Sequence, residues 1–308
     1  MTLMNAWEPI APASALDSPG PLAVEAAPAF DITRPLAGVA RGPLIFASPH
    51  SGRIYPPPLM AASRLDGAAI RRSEDGWVDR LIDGAPALGV NVIAARFARV
   101  YLDVNRDAWE LDPAMFSDEL PPYARGRSAR VAAGFGAIAR IVGEGQEIYA
   151  RKLTFAEARE RIEAVHRPYH EALRALVDEA VTTLGVAILV DWHSMPSAAA
   201  RQAGANDGCD VVLGDRFGGA CAPTLSRLVE KELVALGYEV ARNTPYAGGY
   251  TTEHYGRPGR RVHAIQVEVN RALYMDEATL EPTERFGQVK ADLERLFGAL
   301  ASADWGRL

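Results

Sequence analysis

Apolar runs of strand length recur along the chain, and stretches with helical spacing lie between them. Residues 43–48, 90–94, 186–190 and 263–269 are such runs, rich in Val, Ile, Leu and Ala. Residues 43–48 and 186–190 are apolar almost without a break, which suits strands covered on both faces. Residues 75–88 place Trp77, Val78, Leu81, Ile82 and Ala85 on one helical face. Residues 154–184 do the same with Ile162, Val165, Tyr169, Leu173, Leu176 and Val177. Strands alternating with helices predict an α/β fold of three layers, αβα, with a central, largely parallel or mixed sheet. In such a sheet the ligand site lies at the carboxyl ends of the strands.

Local signals sharpen the boundaries. Gly89 stands where a helix C-cap is needed, Thr154 with Glu157 has the pattern of a capping box, and Pro168 should kink or divide its helix. Strands are also expected at 100–104, 210–213 and 239–242, and helices at 222–236 and 280–300. Residues 105–150 and 247–259 read as loops, because Gly, Pro and charged residues dominate them. Residues 1–29 are rich in Ala and Pro without a sustained period and read as a loose arm, leaving 30–308 as one α/β domain.

Composition removes several function classes. The chain has 308 residues, a net charge of −6 and a pI near 5.6, so it offers no overall positive field to a nucleic acid or an anionic membrane. Two cysteines, Cys209 and Cys221, make no disulfide framework. With no signal-peptide pattern and no run long enough for a membrane span, a cytoplasmic protein is expected. The sequence leaves room for a homo-oligomer.

The chemistry gathers around strand ends. His50 and His193 each sit just beyond an apolar run, where side chains from separate strands converge, and metal-assisted hydrolysis needs about three N or O ligands with a position left open. Glu74 and Asp75 both offer a carboxylate nearby. His166 and His170 are four apart on a predicted helix, but no Glu follows His166 and Pro168 intervenes, so they are not assigned to catalysis. Ser51 and Ser194 lack the Gly-x-Ser-x-Gly setting, and Gly248-Gly249 lacks phosphate-loop spacing.

Taken in order, these segments resemble a known family. Ser48-Pro49-His50-Ser51-Gly52-Arg53, Asp75 with Val78-Asp79-Arg80-Leu81, Leu102-Asp103-Val104-Asn105-Arg106 and Asp191-Trp192-His193-Ser194-Met195 come first. Gly248-Gly249-Tyr250-Thr251, Tyr255-Gly256-Arg257-Pro258, Gln266-Val267-Glu268 and Tyr274-Met275-Asp276-Glu277 follow. Across about residues 30–280 they are similar to the N-formylglutamate amidohydrolases. The resemblance implies a zinc carboxypeptidase-like fold and zinc held by His50, Asp75 and His193. The carboxypeptidase His-x-x-Glu pair is absent, since Arg53 takes its last place.

Glu268 is similar in placement to the carboxypeptidase general base. Ile265, Val267 and Val269 around it allow that strand to be buried on its other face. A substrate with carboxylates needs fixed cations, for which Asn105 and Arg106 are the first candidates and Arg257 and Arg271 second choices, with His254, in the glycine-rich loop, as a further contact. The expected reaction is hydrolysis of a small-molecule N-acyl amino acid, N-formyl-L-glutamate, to formate and L-glutamate. A zinc amidase for another acyl amino acid or small peptide, and a non-catalytic metal- or ligand-binding homologue, are the competing readings.

Overall fold

A computed structural model describes residues 27–203 and 208–308. The expected N-terminal arm, apart from residues 27–29, lies outside the described residues. Seven strands form one sheet: β1 (Phe30–Thr33), β2 (Leu44–Ser48), β3 (Asn91–Ala95), β4 (Ala187–Met195), β5 (Val211–Gly214), β6 (Val240–Arg242) and β7 (Val262–Asn270). Their order is β1-β3-β2-β4-β7-β5-β6. The central strands β3, β2, β4 and β7 run parallel, while β1 and the β5–β6 pair run antiparallel to them. The expected mixed α/β sheet is therefore present. The antiparallel edge strand β1 went unnoticed in the sequence, where it adjoins a segment of low periodicity.

The main helices are α1 (Val78–Leu81), α2 (Phe155–Arg161), α3 (Arg167–Leu184), α4 (Pro223–Ala235), α5 (Tyr250–Tyr255) and α6 (Phe286–Ser302). Thr154 and Glu157 close the capping box expected at the start of α2. The long helix is divided just before Pro168, as expected: a π-turn at Ile162–His166 separates α2 from α3, and Pro168 falls in the first turn of α3.

Side-chain alternation on the strands builds two cores. Leu44, Phe46, Ile188, Val190, Trp192, Ile265, Val267 and Val269 face α4 and α6. The rings of Phe46, Trp192 and Phe297 meet there edge to face, with centroids 4.9–5.4 Å apart. Ile45, Ala47, Ala187, Leu189 and Ala264 face α2 and α3. The same period of two sends Asp191, His193, Gln266 and Glu268 to the α3 face, at the carboxyl ends of β4 and β7.

Four expectations need correction. Residues 100–104 form a buried turn rather than a strand: the Asp103 amide donates to Ala137 O, the Tyr101 amide to Ala98 O, and Val100, Leu102 and Val104 fill the core from a loop. Alternating burial is shared by strands and packed loops, so pattern alone could not separate them. β4 runs on to Met195, placing His193 inside the strand. The helix expected from Asp75 starts only at Val78, after Trp77 in the left-handed region (φ 65°), and gives way to a 3-10 turn containing Pro86. Residues 250–255, read as loop for their glycine surroundings, are helix α5.

Candidate active site

Three elements bring the expected ligands together. His50 stands two residues beyond β2, His193 lies on β4, and Asp75 is carried by the turn before α1, its amide donating to His50 O at 3.0 Å. The Ala47–Asp191 pairing of β2 with β4 sets the two imidazoles 4.7 Å apart, centroid to centroid. Relative exposure is 3%, 1% and 2% for His50, Asp75 and His193, so the group is almost sealed. His50, Asp75 and His193 are also the group that could hold a metal among the described residues, their donor atoms all within 4.8 Å of one another.

Each histidine has a carboxylate behind it. His50 Nε2 donates to Asp103 Oδ1 at 2.7 Å, and His193 Nε2 lies 3.0 Å from Asp191 Oδ2. A proton committed to Nε2 of His50 leaves its Nδ1 as a lone pair, whereas His193 shares a hydrogen bond with Asp75 through Nδ1 and has Asn105 Nδ2 2.9 Å from its Nε2. Both Nδ1 atoms point at one oxygen, Asp75 Oδ2, at 3.3 Å from His50 and 2.9 Å from His193. These spacings are close to the roughly 3.3 Å between tetrahedral ligands about 2.0–2.1 Å from an ion. His50 Nδ1 is buried and makes no hydrogen bond among the described residues. A cation between these donors, either the proton of His193 Nδ1 or a metal ion in its place, satisfies the cluster, and two imidazoles with a carboxylate are a donor set suited to zinc.

The electrostatics agree. Burial opposes the charged forms of both Asp75 and His193. The His193 and His50 contacts nevertheless hold the Asp75 carboxyl well below its ordinary range, and Asp191, Asp75 and Glu268 hold the His193 imidazolium well above its own. The cluster therefore demands positive charge at this point. Asp75 Oδ1 is fixed by Arg271 Nη2 at 3.0 Å. Glu74 points elsewhere: it accepts from Tyr55 Oη at 2.5 Å and from Arg71 Nε at 2.9 Å.

Glu268 on β7 pairs in register with His193 on β4. Its Oε1 accepts from Gln266 Nε2 at 2.8 Å, and Oε2 makes no hydrogen bond among the described residues. Burial pushes its carboxyl up to about 7; Asp75 adds to this, while His193, Arg99 and Arg271 pull the other way. A carboxyl near neutrality can both take and return a proton at physiological pH.

The expected substrate contacts lie differently. Asn105 is buried: its Oδ1 accepts from the Thr251 amide at 2.7 Å, and its Nδ2 donates to Asp191 Oδ2 at 3.0 Å, 2.9 Å from His193 Nε2. It braces the back of the site. Arg106 gives Nε to Phe135 O and Nη1 to Asn105 O. His254 and Arg257 line a cavity of about 370 Å³ with Asp107, Glu110, Arg125, Arg130, Tyr250 and Glu253, a lining that includes neither Glu268 nor the His50–Asp75–His193 group. Asp103 and Asp191, given no role from sequence, emerge as partners of both histidines. The Asp191-x-His193 spacing at the end of an apolar strand was the available signal, since period two puts both on one face.

Comparison with known proteins identifies the family. The profile of the N-formylglutamate amidohydrolase family matches residues 42–275. The N-formylglutamate deformylase of Pseudomonas putida is 30% identical over 250 residues, covering 77% of this chain and 83% of that one. Its namesake from Pseudomonas aeruginosa is 31% identical over 242 residues, covering 77% and 84%. The crystal structure of N-formylglutamate amidohydrolase from Ralstonia eutropha JMP134 superposes with a TM-score of 0.83 at 38% identity, covering 89% of this chain and 98% of that chain. The gene product Atu2144 from Agrobacterium tumefaciens shares the fold, with a TM-score of 0.59 at 17% identity, covering 90% and 96%. Matched over most of its length by both profile and relatives, the chain belongs to the N-formylglutamate amidohydrolase family.

Proposed function

We propose that this chain hydrolyses N-formyl-L-glutamate to formate and L-glutamate, using a zinc ion held by His50, Asp75 and His193. The single observation that carries the reading is the convergence of both Nδ1 atoms on Asp75 Oδ2 beside Glu268. The names of the Pseudomonas and Ralstonia relatives support the choice of substrate.

A zinc ion there supplies Lewis-acid polarisation of the formyl carbonyl and acidifies the attacking water. Glu268 takes the proton of that water as its oxygen bonds to the formyl carbon, and returns it to the amide nitrogen as the C–N bond breaks. Asp103 keeps the His50 proton on Nε2, and Asp191, 3.0 Å from His193 Nε2, would hold the His193 proton there once a metal ion displaced the one shared with Asp75, so that both Nδ1 atoms face inward. Arg271 holds Asp75 Oδ1 and leaves Oδ2 turned to both imidazoles. Among the described residues no helix is long and apolar enough to cross a membrane.

The test is formate release by the purified chain from a panel of N-acyl amino acids, before and after chelation. N-formyl-L-glutamate should be the best substrate, with activity lost on chelation and restored by zinc. Preference for an unrelated acyl group would replace the substrate; full activity after metal removal would replace the mechanism.

A further inference from the structure

The turn after β3 carries Arg99, an arginine that stands apart from its neighbours. Its Nη2 donates to Asp103 Oδ2 at 2.7 Å, and the other oxygen of that carboxylate takes the His50 Nε2 proton. The guanidinium therefore lies one carboxylate away from a ligand candidate, and Asp75 and Glu268 both act on its charge. Its side chain is only 19% exposed, yet Nε and Nη1 make no hydrogen bond among the described residues. Arg271, by contrast, engages all three nitrogens, with Ser194 Oγ, Arg72 O and Asp75 Oδ1. Arg106 directs Nε and Nη1 to backbone carbonyls.

A guanidinium held by one carboxylate, with Nε and Nη1 left open to water, can exchange that water for the oxygens of a ligand. The charge around it strengthens the argument. Asp75, Asp103, Asp191 and Glu268 crowd the site, and an anionic substrate approaching them is repelled unless a cation faces it. Arg99 has free donors in that position, and its planar fork matches a carboxylate in two hydrogen bonds.

We propose that Arg99 holds a carboxylate of the substrate and so selects acyl amino acids that keep that carboxylate free. This rests on the N-formylglutamate reading above. It replaces the Asn105–Arg106 clamp expected from the sequence.

Kinetics of wild type, Arg99→Lys and Arg99→Met on N-formyl-glutamate, N-formyl-glutamine and the α-carboxamide of N-formyl-glutamate test it. Both variants should lose roughly 10- to 100-fold in kcat/KM where the recognised carboxylate is present, the scale of one charge-assisted contact. On the amide lacking that group they should match wild type, with zinc content unchanged. The lysine variant keeps the charge without the fork and guards against misfolding of the methionine variant. Equal loss on all three substrates, with zinc depleted, would show that Arg99 only steadies Asp103 and would overturn the proposal while leaving the parent reading intact. A wild type that releases formate from none of them would remove both together.

Discussion

His193 on β4 and Glu268 on β7 are register partners in a parallel pair, both facing α3. A candidate ligand and a candidate base are thus placed by two central strands rather than by loops, which is the rigid arrangement proton transfer beside a metal needs. Glu268→Gln should lower turnover by roughly 10²–10⁴-fold, because it removes the proton acceptor and keeps the size. Zinc content should not change, and thermal stability should hold or rise, since a buried charge is removed. Loss of zinc in this variant would make Glu268 a ligand instead.

Asp103 and Asp191 act on the metal only through the histidines. Asp103→Asn and Asp191→Asn should each weaken zinc affinity by roughly 10- to 100-fold, measured by competition with a chromophoric chelator. Affinities equal to wild type would mean that neither carboxylate sets the imidazole tautomer.

Gly249 tests the brace behind His193. Its backbone is not strained, but a Cβ there would lie 2.5–2.7 Å from the amide atoms of Asn105, which is tied to Thr251 and Asp191. Gly249→Ala should cost about 1–3 kcal/mol of stability, as overpacking does, and should reduce activity more than a surface Gly→Ala change. Wild-type activity at wild-type stability would show that Asn105 moves without consequence.

The pH dependence of stability should carry a signature from the α3 face. His170 is buried with Nε2 on Val104 O at 2.7 Å and Nδ1 on Tyr255 Oη at 3.0 Å. Burial above all, then His166, holds its pKa well below the ordinary value, and burial lowers that of His166 as well. A depressed folded pKa means that the unfolded chain binds the proton first. The stability contributed by the neutral ring is therefore complete above about pH 6.5 and is lost as pH falls from there towards the folded value. Urea midpoints measured from about pH 7.5 to about pH 5.5 should fall less steeply in His170→Gln than in wild type; parallel slopes would contradict this.

Much of the site could be read along the chain because its signals are local. His50 follows a run apolar almost without a break, and Ile265, Val267 and Val269 leave only one face of β7 for Glu268. What escaped depends on contacts remote in sequence. Asn105 and Arg106 looked like a strand-end clamp, but residues 100–104 turn back to bond Ala137, and Asn105 is claimed by Asp191 and Thr251, 86 and 146 residues away. Arg99 carried no motif at all, and its open donors beside Asp103 mark it out among the thirty arginines, the 33 basic residues less Lys152, Lys231 and Lys290.

The central claim is that His50, Asp75 and His193 form one metal site. Elemental analysis of the purified chain, run beside His50→Ala and His193→Ala, tests it most directly. Wild type should carry about one zinc per chain and each variant almost none, because two remaining ligands hold the ion poorly. Equal zinc in all three proteins would contradict the account.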